Sequence, residues 1–309
     1  MKLQNYTANS CPCSLGGCSS LWPCTPTKLC ESLDPRSDVD APSAEDDDGL
    51  TYLVFLAFNS SLVRNSFRNH PSRARDREVN RVLWLAHTAR RVNTQLPIHA
   101  VVAGERLDAT SEARLKRAGV RLLDGPLVPT PAWASKWHRL SFNKIAALSF
   151  TRFRKVAVLD NDVGLLQNMD HMLRTAPTPS AVFHTTIGPL AKRTRCAVTT
   201  GLLVLRPSTW GYARALATLQ RMNYTTEQYD GGDEEFWLKY FSESPDEPLF
   251  ELPWRYHAHR LLPMAGSEWE SVRMMHLITA LANRGWHIPK NATARVEHYA
   301  GISDTVVDG

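Results

Sequence analysis

No stretch of the 309-residue chain reaches the roughly 18 consecutive apolar residues that a membrane-spanning helix needs. The N-terminus also lacks the continuous hydrophobic stretch of a secretory signal. These absences lead us to expect a cytoplasmic protein ahead of one in the Golgi or secretory lumen. Cysteine is scarce too, and five of the six lie within residues 11–30, at Cys11, Cys13, Cys18, Cys24 and Cys30. No spacing among them matches a zinc finger, and an odd number cannot pair off completely. Such a cluster nevertheless suits an oxidising compartment or a metal, and N-x-S/T sequons at Asn5, Asn59, Asn223 and Asn291 permit a lumen. Large apolar side chains are nearly missing from residues 31–49, where eight acids accompany one arginine. That composition reads as a disordered acidic linker.

What remains is rich in core-forming residues. The chain is 43% hydrophobic, enough for a large core, and the expected division is a Cys-rich segment with its acidic linker over 1–49 and one folded domain over 50–309. Residues 50–309 carry 33 basic and 23 acidic side chains, a net charge of about +10 against +5 for the whole chain. A surplus of that size attracts anionic ligands such as a nucleoside diphosphate, and on charge alone nucleic acid or an anionic surface equally well.

Apolar runs alternate with amphipathic ones. TYLVFLAF (51–58) predicts a buried strand, and RDREVNRVLWLAHTARRVN (75–93) a helix with Val79, Val82, Leu83, Ala86 and Ala89 inward. PIHAVVAG (97–104), a helix near Thr110–Ala118, and VRLLDG (120–125) continue the pattern. FNKIAALSFTRF reads as a helix with Ile145, Ala146 and Leu148 inward, leading into the strand KVAVL (155–159). Such alternation predicts a mostly parallel sheet covered on both faces, with ligands beyond the carboxyl ends of its strands.

Asp160 and Asp162 follow KVAVL immediately. Two carboxylates at a strand end repel each other unless a cation lies between them, and a hard divalent cation with oxygen ligands would offset that repulsion. The D-x-D spacing alone proves little, since it recurs at Asp38/Asp40 and Asp46/Asp48 in the linker, as solvated charge. The preceding strand sets Asp160/Asp162 apart.

Several ordered segments resemble the glycogenin-like glycosyltransferases of family eight. FNKIAALSFTRFRKVAVLDNDVGLLQNMDHML is similar to that family's run from a lysine-bearing helix through the strand, the D-x-D and the N-hydrophobic-D that opens the next helix. TTGLLVLRPS (199–208) resembles its NSG-hydrophobic-LRPS strand, YDGGDEEFWLKYF (229–241) its GGDQ stretch, LPWRYH (252–257) its LPWRYN, and MMHLITALANRGW (274–286) its HF-x-G…KPW. The resemblance implies an α/β domain with the A-type, Rossmann-like fold of nucleotide-diphospho-sugar transferases, a single domain around a central, mostly parallel, mixed sheet. It implies transfer of a hexosyl group, with retention, from a nucleotide-diphosphate sugar (a UDP-sugar foremost) to an acceptor hydroxyl on a glycan or protein.

By the same resemblance, Asp160, Asp162 and His276 would hold Mn²⁺, or Mg²⁺ in its place. His276 by itself would read as a histidine packed at the end of VRMMHL. Lys144 would contact the donor, and Arg284, after two extra residues, stands near the family's diphosphate-binding lysine; Arg would serve there through its planar fork. Asn59, Asn161 and Gly232 fall in donor-binding stretches. Asp233 would lie against the transferred sugar, although a helix N-terminus also favours acids there for its dipole. Three positions depart from the family: Glu234 replaces a glutamine, Thr199 an asparagine, and Leu62 the tyrosine that stacks on uracil. Asp233 and Glu234 are the carboxylates available as a nucleophile; a front-face route, with the leaving phosphate helping to deprotonate the acceptor, needs neither.

Other functions fit less well. A sugar-nucleotide pyrophosphorylase would want a glycine-rich loop after the first strand, and AFNSSLVRNS has no glycine. The basic stretch 64–77, with Arg64, Arg68, Arg73, Arg75 and Arg77, has Phe67 as its one aromatic, so no nucleic-acid partner is expected. A catalytically inactive relative that binds a sugar nucleotide as a scaffold is the alternative that the three departures leave open.

Overall fold

A computed structural model describes residues 48–58, 71–135, 138–186, 195–222, 231–244, 247, 249–258 and 270–276. The first strand, β1 (Leu50–Phe58), leads to α1 (Pro71–Arg91), β2 (Ile98–Gly104), α2 (Ala109–Arg117) and β3 (Arg121–Gly125). β1 and β2 are largely apolar because both of their faces are covered, whereas β3, at the edge, carries the exposed Arg121 and Asp124. Tyr52 and Val54 pack with one cluster and Leu53 with the other; on β4 (Lys155–Leu159), Ala157 and Leu159 face the first while Val156 and Val158 face the second. Val79, Val82, Leu83, Ala86 and Ala89 of α1 all turn inward, as the helical period predicts.

The helix expected over FNKIAALSFTRF is a 3₁₀ helix spanning Ser141–Ser149. Ile145, Ala146 and Leu148 are inward as expected, but so is every residue from Phe142 to Leu148. With no solvent face there is no amphipathic period to follow, and Asn143 spends its side chain on the backbone of Val128 and Leu140. After β4 come β5 (Val163–Leu165), α3 (Asp170–Thr175), β6 (Ser180–Thr186), β7 (Arg195–Leu205), α4 (Thr209–Arg221) and α5 (Asp233–Ser242). Two short strands, β8 (Phe250–Leu252) and β9 (Met274–His276), complete the described elements.

The main sheet has seven strands in the order β3-β2-β1-β4-β7-β6-β8. The four strands β1 to β4 run parallel, β7 is antiparallel to β4, β6 is antiparallel to β7, and β8 is parallel to β6. The sheet is therefore mixed, as expected. From β1 the chain winds outward through β2 to β3 and then returns to place β4 on the other side of β1. That reversal opens a crevice beyond the carboxyl ends of β1 and β4, the usual place for a ligand in an open α/β sheet. A separate two-stranded ladder pairs β5 antiparallel with β9, Val163 opposite His276 and Leu165 opposite Met274.

Candidate active site

Asp160 leaves the end of β4 with its N–H donating to the carbonyl of Gly201 on β7 at 3.2 Å. Asp162 stands one residue before β5, and the β5–β9 register brings His276 opposite Val163. That ladder closes the long sequence gap. His276 Nε2 lies 3.0 Å from Asp162 Oδ1 and 4.0 Å from Asp160 Oδ2. One ligand atom from each of the three residues falls within 4.8 Å of the others. Two carboxylate oxygens and an imidazole nitrogen in that span suit a hard or borderline divalent cation.

Lys144 reaches the same point from the 3₁₀ segment. Its Nζ is 2.6 Å from Asp160 Oδ1 and 3.2 Å from Asp233 Oδ2, and it donates to the carbonyl and hydroxyl of Thr200 at 3.1 and 3.0 Å. Asp233, itself buried, is the first residue of α5, with Gly232 as its N-cap and Glu234 and Glu235, half-buried, in the same turn. The approach to this turn needs glycine: Gly231 has φ +76°, and a Cβ there would lie 2.5 Å from the Ser135 nitrogen.

The charges are strongly interdependent. Burial works against the Lys144 ammonium, but Asp160 and Asp233 outweigh it and hold Lys144 protonated above the usual lysine range. Burial raises Asp160, helped by the charge of Asp162 and opposed by Lys144. For Asp162 burial is overcome by His276, and the carboxyl is held below its ordinary value. His276 is raised in turn, since Asp162 and then Asp160 outweigh its burial. The acidic couple thus already has cationic neighbours from the chain itself.

Lys144, Asp160, Asp162, Asp233 and His276 therefore converge on one place. Thr199 and Asn161 lie close by but are engaged: Thr199 Oγ1 is 3.0 Å from His257 Nδ1, and the Asn161 amide donates to Glu78 Oε2 on α1 at 2.7 Å. Asn59, Leu62 and Arg284 lie outside the described residues. Sequence reasoning missed Glu78, Arg81 and His257. Arg81 pairs with Glu78 at 2.8 Å and helps to lower Asp162; the helical period marks only the inward face of α1 and gives no signal for either. His257 had a signal, the substitution of histidine for the last residue of an otherwise matching LPWRYN.

Structural comparison identifies the architecture. A glutamine-to-glutamate active-site mutant of LgtC superposes with a TM-score of 0.52 at 12% identity, over 81% of this chain and 95% of that one. The chain has the A-type glycosyltransferase fold. The bifunctional glycosyltransferase WbbM, in its apo structure, gives 0.51 at 13% identity over 74% of this chain and 46% of that one. A family model described as "Mannosyltransferase putative" matches residues 73–177, a span holding Lys144, Asp160 and Asp162. Two Arabidopsis thaliana proteins are similar in sequence. "Putative glucuronosyltransferase PGSIP7" is 30% identical over 158 residues, 51% of this chain and 28% of that protein. "Putative glucuronosyltransferase PGSIP8" is 33% identical over 115 residues, 37% of this chain and 20% of that protein. The match thus spans less than a third of either relative's length. Both relatives and both superposed structures carry glycosyltransferase names.

Proposed function

We propose that this domain is a metal-dependent, retaining glycosyltransferase that moves a hexosyl group from a nucleotide-diphosphate sugar, a UDP-sugar foremost, to a hydroxyl of a glycan or protein acceptor. The observation that carries this reading is the meeting of Asp160, Asp162 and His276 with Lys144 and Asp233 beyond the carboxyl end of β4. The ordered motifs that resemble family eight supply the finer assignment. Asp160, Asp162 and His276 would hold Mn²⁺, or Mg²⁺ in its place. When bound, that cation stabilises negative charge on the departing diphosphate.

The remaining work falls to the chain's own side chains. Lys144 stays protonated between two carboxylates, so it presents a fixed positive charge beside the donor at no cost of reorganisation. Asp233, with a side chain only 4% exposed and paired with Lys144, is poorly placed as a free nucleophile and well placed to accept hydrogen bonds from sugar hydroxyls. That favours the front-face route, in which the acceptor proton passes to the leaving phosphate and the anomeric configuration is kept. Glu234 is the other carboxylate at hand, and Thr199, tied to His257, supports the floor of the donor site instead of reaching into it.

The relatives' names and the family model leave the sugar open between glucuronosyl, mannosyl and other hexosyl groups. The test is a panel of UDP-glucose, UDP-galactose, UDP-glucuronic acid and GDP-mannose, scored for Mn²⁺-dependent thermal shift and hydrolysis. One donor should raise the melting temperature and be consumed, and Asp162→Ala should abolish Mn²⁺-dependent turnover while the variant still unfolds cooperatively. Retained turnover in Asp162→Ala would refute the metal assignment. Donor binding without turnover in the unsubstituted protein would identify a sugar-nucleotide-binding scaffold.

A further inference from the structure

The three candidate metal ligands do not come from one frame. Asp160 belongs to the seven-stranded sheet, and its N–H is held by Gly201 of β7; His276 belongs to the β5–β9 ladder. Their separation depends on what fills the seam between the two sheets. His257, fully buried at 0% exposure, stands there.

Thr199 and Gly201 lie two residues apart on β7, where its pairing with β6 shifts register between Thr199 and Leu203. The His257 ring lies across both. Its Nδ1 is 3.0 Å from Thr199 Oγ1, and a Cβ on Gly201 would come within 2.1 Å of its Nε2. On its other flank the ring meets His276, with centroids 5.3 Å apart and planes tilted by 57°. The backbone repeats the connection: the N–H of Ala258, next in sequence, donates to Met274 at 2.9 Å, and the N–H of His276 donates back to Ala258 at 3.1 Å. One side chain therefore touches the residue that anchors Asp160 and the ring that opposes it.

We infer that His257 is a positioning residue for the metal triad, a wedge between β7 and β9 that fixes the gap between Asp160 and His276 and thereby sets the affinity for the divalent cation. The inference rests on the metal site proposed above. Outer groups that orient metal ligands are typically worth about 10- to 100-fold in affinity. The Thr199–His257 contact also gives the two matched-motif departures a joint purpose, since each residue satisfies the other.

The test is Mn²⁺ binding to the full chain, read from the EPR signal of the free aqua ion, independent of turnover. His257→Ala should weaken Mn²⁺ binding about 10- to 100-fold. Thr199→Val should shift affinity in the same direction by removing the ring's anchor, as should Gly201→Ala by pushing the ring off β7. His257→Gln, which keeps a polar group and part of the bulk, should fall between wild type and His257→Ala. A purely structural role would lower the urea midpoint equally with and without Mn²⁺ and leave the dissociation constant alone. If His257→Ala does not fold, His257→Gln and Thr199→Val carry the test. Wild-type affinity in these variants would overturn the role of His257 and leave the metal site standing; no Mn²⁺ binding by the wild-type protein would overturn both.

Discussion

Lys144 sits between two carboxylates, with a side chain 7% exposed, and its removal would leave Asp160 and Asp233 without their cation in a poorly solvated place. Breaking a buried charge network by deleting one partner costs about 3–5 kcal/mol. Lys144→Met should therefore lower the urea midpoint strongly without metal, and Mn²⁺ should restore part of the loss by relieving Asp160. His99 provides a separate test on β2. Burial, with Arg121 and Arg152 nearby, lowers its pKa from 6.5 to about 4, while its Nδ1 lies 2.7 Å from Thr51 Oγ1. Above pH 6.5 both folded and unfolded forms are neutral there. As pH falls from 6.5 toward 4 the unfolded chain takes the proton first, so stability drops across that window and levels off below it. His99→Gln should flatten this drop, checked by comparing urea midpoints at pH 7 and pH 5.

At the scale of elements, the site depends on where two short pieces begin and pair. α5 starts at Asp233 because Gly231 takes a positive φ and passes against the Ser135 backbone, whose N–H it receives at 3.1 Å. Gly231→Ala should cost more than about 1 kcal/mol through the disfavoured backbone and the clash, and it should also impair turnover by displacing Asp233. A stability loss with unchanged kcat would detach Asp233 from catalysis. The β5–β9 ladder does the corresponding work for His276. With three residues on each strand it has little pairing of its own, and Ala258 on the outer side of β9 helps to hold it in register.

For the whole molecule, the decisive feature is the reversal of winding between β1 and β4, which leaves a crevice where Asp160 emerges. Among the described residues, the core that supports this crevice starts with Leu50, at 2% exposure. A chain beginning at Asp48 should therefore keep the full chain's urea midpoint and Mn²⁺ affinity; a fall in either would assign residues 1–47 to the folded unit. Among the described residues no helix is long and apolar enough to cross a membrane. Within the basic stretch 64–77, Arg75 is bonded to Glu105 at 2.7 Å and Arg77 to Glu78 at 2.9 Å.

The sequence by itself determined the four parallel strands β1 to β4, because apolar runs of that length read as buried strands, and at β4 the first charge after the run marks the rim. That logic placed Asp160 and Asp162, and ordered motifs added Lys144, Asp233 and His276. Only the tertiary structure decided which of these meet. Periodicity says that a segment pairs or packs but not with which partner or in which register. The antiparallel insertion of β7, the ladder that carries His276 to Asp162, the Lys144 bridge to Asp233 and the wedge at His257 all arise from contacts between residues far apart in the chain, fixed when two covered faces and their backbone hydrogen bonds are satisfied at once.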